Sequence, residues 1–89
     1  MNTQDKFYEL LNNYPFARPY WDQEKREVDL EALNARSWST HEQAVINALV
    51  EIWTGNTSNG FSASITELAQ ISDGLRKPIL EWLADPYWP

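Results

Sequence analysis

Ser39 to Gly55 reads as one helix with both of its ends written into the sequence. Ser39 and Glu42 have the spacing of a capping box, in which each side chain satisfies a backbone N–H left unpaired at a helix start. Behind them Ala44, Val45, Ala48, Leu49, Ile52 and Trp53 recur at helical spacing and form an apolar stripe. Gly55 follows the last of these, the residue that enters the left-handed region at no steric cost and so stops a helix. A helix this well defined in a chain of 89 residues has to be the element around which the rest packs.

The flanking segments read as shorter helices of the same kind. Phe7, Leu10, Leu11 and Tyr14 fall at i, i+3, i+4 and i+7, which predicts a helix from about Gln4 to Asn13, ended by Asn13 and Pro15. Tyr14 to Asp22 is expected to cross in extended form, because Pro15 and Pro19 fix φ and disfavour helix before them. The mixed charges of Asp22 to Glu27 read as a solvated turn. Asp29 is a candidate N-cap for a short helix to Arg36, with Val28 and Leu33 at the spacing of a hydrophobic staple. A short strand at Val28–Leu30 is the competing reading, and the helix is favoured. A polar loop is expected over Asn56–Ala63, anchored by Phe61. Ser64 and Glu67 repeat the capping-box spacing and open a helix from Ile65 to Ile71. Ser72-Asp73-Gly74 reads as a turn, and the last helix is placed from about Leu75–Lys77, since Pro78 fits only a first turn. Asp85-Pro86 ends it. With no convincing strand pair, the fold expected is all-α: one domain over residues 1–89, a small bundle of four to five short helices with extended aromatic and proline segments packed on its core.

Pro-Tyr-Trp occurs twice, as Pro19-Tyr20-Trp21 and Pro86-Tyr87-Trp88, each beside an acidic residue, Asp22 or Asp85. Five tryptophans among 89 residues suit a domain too small for a large aliphatic core, since each ring buries roughly 150–250 Å². The favoured reading makes the two copies lids on one core, with Trp21 and Trp88 both buried and the two segments adjacent. A second reading makes Arg18, Tyr20, Trp21, Tyr87 and Trp88 a protein-binding surface, because Trp, Tyr and Arg dominate interface hot spots. In a third, the rings complete the core of a homodimer.

Several chemistries are argued against by composition. The chain has no cysteine and one histidine, so thiolate chemistry, disulfides and an imidazole-built metal site are not expected. No metal or other cofactor is expected. Ser39, His41 and Glu42 lie within a single helix start where two of them are committed to capping, whereas a catalytic triad converges from separate elements. Glu27, Asp29 and Glu31 lie in a stretch with nothing to desolvate one carboxyl and raise its pKa, as acid–base work requires. An enzyme is therefore not expected. No apolar run reaches the roughly 20 residues of a membrane span. The N-terminal segment has no secretory pattern, so the Asn56-Thr57-Ser58 sequon carries no weight and a cytoplasmic location is the expectation.

Net charge is −6, which on average repels phosphate. Against that, Ile65 to Ala84 resembles the helix-turn-helix of DNA-binding regulators: a short helix, a turn and a second amphipathic helix. The resemblance implies phosphate contacts from Arg76 and Lys77. It departs at Gly74, one residue late, and at Pro78 inside the would-be reading helix, while Glu81 and Asp85 would face the phosphates. A third function, imitation of DNA by the acidic surface to inhibit a nucleic-acid-binding protein, needs carboxylate spacings that sequence does not display. The favoured expectation is a non-enzymatic protein-interaction module.

Overall fold

The computed structural model of the chain describes residues 2–55 and 60–89. The sequon and the first part of the expected loop lie outside the described residues. The chain runs α1 (Thr3–Leu11), a 3-10 turn (Arg18–Tyr20), β1 (Trp21–Asp22), β2 (Glu27–Val28), α2 (Leu30–Ala35), α3 (Thr40–Thr54), α4 (Ile65–Gln70) and α5 (Asp73–Ala84). Over the described residues it is compact and mostly helical, with one two-stranded antiparallel sheet.

Helix α3 is the central element. The Ser39 hydroxyl accepts from the Glu42 N–H at 3.1 Å and the Glu42 carboxylate accepts from the Ser39 N–H at 3.1 Å, so the capping box is complete. Gly55 closes the helix at φ 72°. The apolar stripe is wider than its expected one-sided form. Ile46 and Val50 are buried along with Ala44, Val45, Ala48, Leu49 and Ile52, as befits a helix surrounded by other elements. Phe7, Leu11, Tyr14, Trp21, Leu33, Phe61, Ile71 and Ile79 belong to the same buried cluster. Phe61 thus anchors the segment leading into α4, and the Glu51 carboxylate holds it from the side by accepting from the Ala63 N–H at 2.8 Å.

Between α1 and α2 the chain departs from the all-α expectation. Arg18–Tyr20 forms a turn of 3-10 helix with Pro19 near its start, a position where a missing N–H costs nothing. Trp21 pairs with Val28 and Asp22 with Glu27 in a short hairpin. The Asp22 carboxylate drives the reversal by accepting from the N–H groups of Glu24 and Lys25 at 3.0 and 3.1 Å, an Asx-type turn. Arg26 takes the left-handed conformation at φ 56° to close it. Two-residue strands leave no alternation for a sequence to show, which is why the charged stretch reads as a turn alone.

Asp29 caps α2 as expected, accepting from the Ala32 N–H at 3.0 Å. Ser64 caps α4 in the same way, from Glu67 at 3.3 Å. The last helix differs from the expected form. It begins at Asp73 with Ser72 as its N-cap residue, so Gly74 and Pro78 both lie inside it. Pro78 withdraws the amide that would serve the Gly74 carbonyl, and one residue further on the Tyr14 hydroxyl donates to the Leu75 carbonyl at 2.5 Å.

Candidate functional site

The two Pro-Tyr-Trp copies have different fates. Around the first, the Arg18 guanidinium donates to the Trp21 carbonyl at 2.9 Å and to the Gln23 side chain at 3.3 Å, and it stacks 5.2 Å from the Tyr8 ring centre. The Tyr20 ring packs edge-on against Trp38 at 5.5 Å, and its hydroxyl accepts from Arg36 at 3.1 Å. Trp38 in turn donates its indole N–H to the Leu33 carbonyl at 2.9 Å, satisfying an open carbonyl of α2. Trp21 is buried, 5.7 Å from the Phe7 ring. Arg18, Tyr20 and Trp21 are therefore engaged inside the fold and hold the hairpin against α1 and α2.

The second copy lies on the outside of α5. Tyr87 is half-buried; its carbonyl accepts from the Trp82 indole at 2.9 Å, and its ring lies 5.7 Å from the Lys6 ammonium. Burial is the main cause raising the Tyr87 pKa, with the nearby Glu9 carboxylate adding to it. Trp88 is 59 % exposed, against the expectation that it is buried. It rests edge-on against Trp82 at 5.1 Å. Among the described residues no ring of one copy packs on a ring of the other. Helix α1 stands between them, meeting Trp21 through Phe7 and Tyr87 through Lys6.

Trp88 belongs to a face that the sequence pattern did not single out. The other exposed large apolar residues among the described residues are Ile65, Leu80 and Leu83, and all of them border the groove between α4 and α5. One end of this groove is a cavity of about 250 Å³ walled by Ala48, Leu68, Ile79, Trp82 and Trp88. The other, about 380 Å³, continues past Leu80 and Leu83 to Arg76. The spacing of the last helix groups Leu83 with Leu75, Ile79 and Trp82 on one packing face, but Leu83 is turned outward with Leu80 and is 55 % exposed. On the far side of Trp82 a polar cleft of about 470 Å³ opens between α1 and α5, with Glu9, Glu81 and Asp85 on its walls.

Arg76 and Lys77 are differently placed. The Arg76 guanidinium donates to the Ala69 carbonyl at 2.7 Å and pairs with the Asp73 carboxylate. It joins the start of α5 to α4. Lys77 is exposed. Ser39 and Glu42 are occupied in the capping box and His41 is exposed. Asp29 caps α2, and Glu27 and Glu31 point to solvent. Among the described residues no group of three or more His, Cys, Asp or Glu side chains is arranged to hold a metal, and no helix is long and apolar enough to cross a membrane.

No family model, curated protein or solved structure matches this chain.

Proposed function

We propose that this chain is a non-enzymatic protein-interaction module whose binding face is the groove between α4 and α5, rimmed by Ile65, Leu80, Leu83 and Trp88. One observation carries the reading: all four exposed large apolar side chains among the described residues border a single groove. Scattered apolar residues are ordinary on a protein surface, whereas a contiguous patch beside a concavity marks a contact site. Trp88 has the form of an interface anchor, a large ring supported from behind by a second indole. Of the residues first considered for binding, Trp88 stays with the face, Tyr87 lines the polar cleft on the other side of Trp82, and Arg18, Tyr20 and Trp21 act as a distant scaffold.

The helix-turn-helix alternative has less support. Arg76 spends its donors on Ala69 and Asp73, leaving Lys77 beside the outward carboxylates Glu81 and Asp85. A DNA-reading face displays a basic stripe.

Affinity capture from the source cells, with wild-type chain and Leu83→Asp as parallel baits, tests the proposal. Proteins held by the first and lost by the second are the expected result. Identical capture by both baits, or none by either, contradicts it.

A further inference from the structure

Beyond α5 the chain doubles back over the helix it has just left. The Asp85 N–H donates to the Trp82 carbonyl at 3.2 Å, and Asp85 leaves helical backbone at φ −147° and ψ 71°. Pro86 bars a return to helix, because it has no N–H to donate. Tyr87 and Trp88 then straddle the Trp82 ring. Their ring centres lie 6.3 and 5.1 Å from that of Trp82, both edge-on. The Trp82 indole N–H donates at 2.9 Å to the Tyr87 carbonyl, which belongs to the peptide joining Tyr87 to Trp88.

Each ring faces a different cavity. Tyr87 walls the polar cleft between α1 and α5, Trp88 walls the apolar end of the α4–α5 groove, and Trp82 is the partition common to both. The outer contacts of the segment reach two further helices. The Lys6 ammonium of α1 stands 5.7 Å over the Tyr87 ring. A Cβ on Gly55, at the end of α3, would meet Trp88 Cε3 at 3.9 Å.

We propose that Asp85–Pro89 is a hinged strap, pivoting at Asp85–Pro86, in which Tyr87 is the latch and Trp88 the moving wall. Latched, it keeps Trp88 at the apolar end of the groove. Released, it carries Trp88 away and opens Ile52, Ile79 and Trp82 from that side. The strap belongs to the chain alone and operates whether or not a partner enters the groove.

Two observations give the segment this freedom. Trp88 is 59 % exposed while seated, so unseating it gives up little buried surface. The contacts that seat the segment include a hydrogen bond, edge-on ring pairs and a cation over a ring, each individually small. Local opening therefore needs far less free energy than unfolding α3 and its buried neighbours. Latch and wall are also mechanically tied, because they are adjacent residues and Trp82 holds the peptide between them. A change on the polar side that draws Tyr87 out of the cleft thus moves Trp88 on the apolar side.

Nuclear magnetic resonance of the 15N-labelled full chain tests the proposal through its five indole N–H groups. In wild type the Trp82 indole proton is expected to exchange with solvent by local opening, at a rate that low urea leaves unchanged. Amides of the buried α3 residues Val45 and Leu49 exchange by unfolding, faster with each addition of urea. Tyr87→Ala, which keeps the carbonyl but removes the latch ring, speeds Trp82 exchange roughly 2–10-fold. Lys6→Gln, at an exposed position, speeds it roughly 2–5-fold. In both variants the heteronuclear NOE of the Trp88 indole falls, while those of Trp21 and Trp38 stay as in wild type and verify the fold. A Trp82 proton that exchanges only together with the α3 amides overturns the proposal, because the segment then opens only when the domain unfolds. A Trp88 indole equally ordered in wild type and both variants overturns it as well.

Discussion

Tyr14 connects two parts of the chain that sequence analysis treats separately. It ends the apolar row of α1, and its hydroxyl, fully buried, serves the turn of α5 that Pro78 disturbs. Tyr14→Phe leaves the Leu75 carbonyl without that donor, and urea unfolding is expected to show a loss of about 1–3 kcal/mol. Burial is the chief cause holding the Tyr14 pKa far above the ordinary 10.0; the Ile79 N–H opposes it and Glu81 adds to it. The folded chain therefore keeps this proton at pH values where the unfolded chain has released it. That contribution is complete below pH 10.0 and is lost as the pH climbs above it. Tyr14→Phe should flatten the alkaline decline measured by unfolding at successive pH values. Part of the decline remains, because burial also raises the Tyr8 pKa, against the opposing charges of Arg26 and Arg18. Trp21 is a contrasting case: it is buried, and its indole N–H has no acceptor among the described residues. An unsatisfied donor costs about 1–3 kcal/mol, which offsets much of what the larger ring gains. Trp21→Phe is expected to unfold within about 1 kcal/mol of wild type, and Trp21→Ala to lose about 3–5 kcal/mol. Equal losses in the two variants would show that no ring other than the indole serves the site, and would contradict this expectation.

Among the elements, α3 was the most legible from sequence because its cap, stripe and stop are all local signals. The caps of α2 and α4 were legible for the same reason. The hairpin was not, since strands of two residues have no period and its turn depends on how the Asp22 carboxylate folds back. The start of α5 was misplaced because the helix begins at Asp73 and accepts Pro78 in its interior, at the loss of the bond to the Gly74 carbonyl. The Pro-Tyr-Trp copies are identical in sequence and different in setting, and only tertiary packing separates them. Around Tyr20 and Trp21 the hairpin and α2 close over the rings, whereas Trp88 has Trp82 behind it and solvent in front. Trp88→Ala is therefore expected to lower stability by about 1 kcal/mol or less, well short of the roughly 3–5 kcal/mol of a buried ring. The same variant should weaken any association made through the α4–α5 face. A loss near that of Trp21→Ala in thermal or urea unfolding would place Trp88 in the core.

At the scale of the whole molecule the two ends of the fold divide the labour. The hairpin, α1 and α2 use their aromatic and arginine side chains on one another. The α4–α5 side leaves Ile65, Leu80, Leu83 and Trp88 outward around a groove. The net charge of −6 favours solubility, and in the proposed reading this apolar face supplies the attraction for a partner. Its location was not legible from the sequence, because an exposed leucine in a short helix looks the same as a buried one until the neighbouring helix is placed. Hydroxyl-radical footprinting tests the location most directly, comparing the purified chain at low concentration with the same chain in an extract of its own cells. The account predicts that Leu80, Leu83 and Trp88 are modified readily in the first sample and protected together in the second, with Tyr20 unchanged. Equal reactivity of the three in both samples, or protection centred on Arg18 and Tyr20, would contradict it.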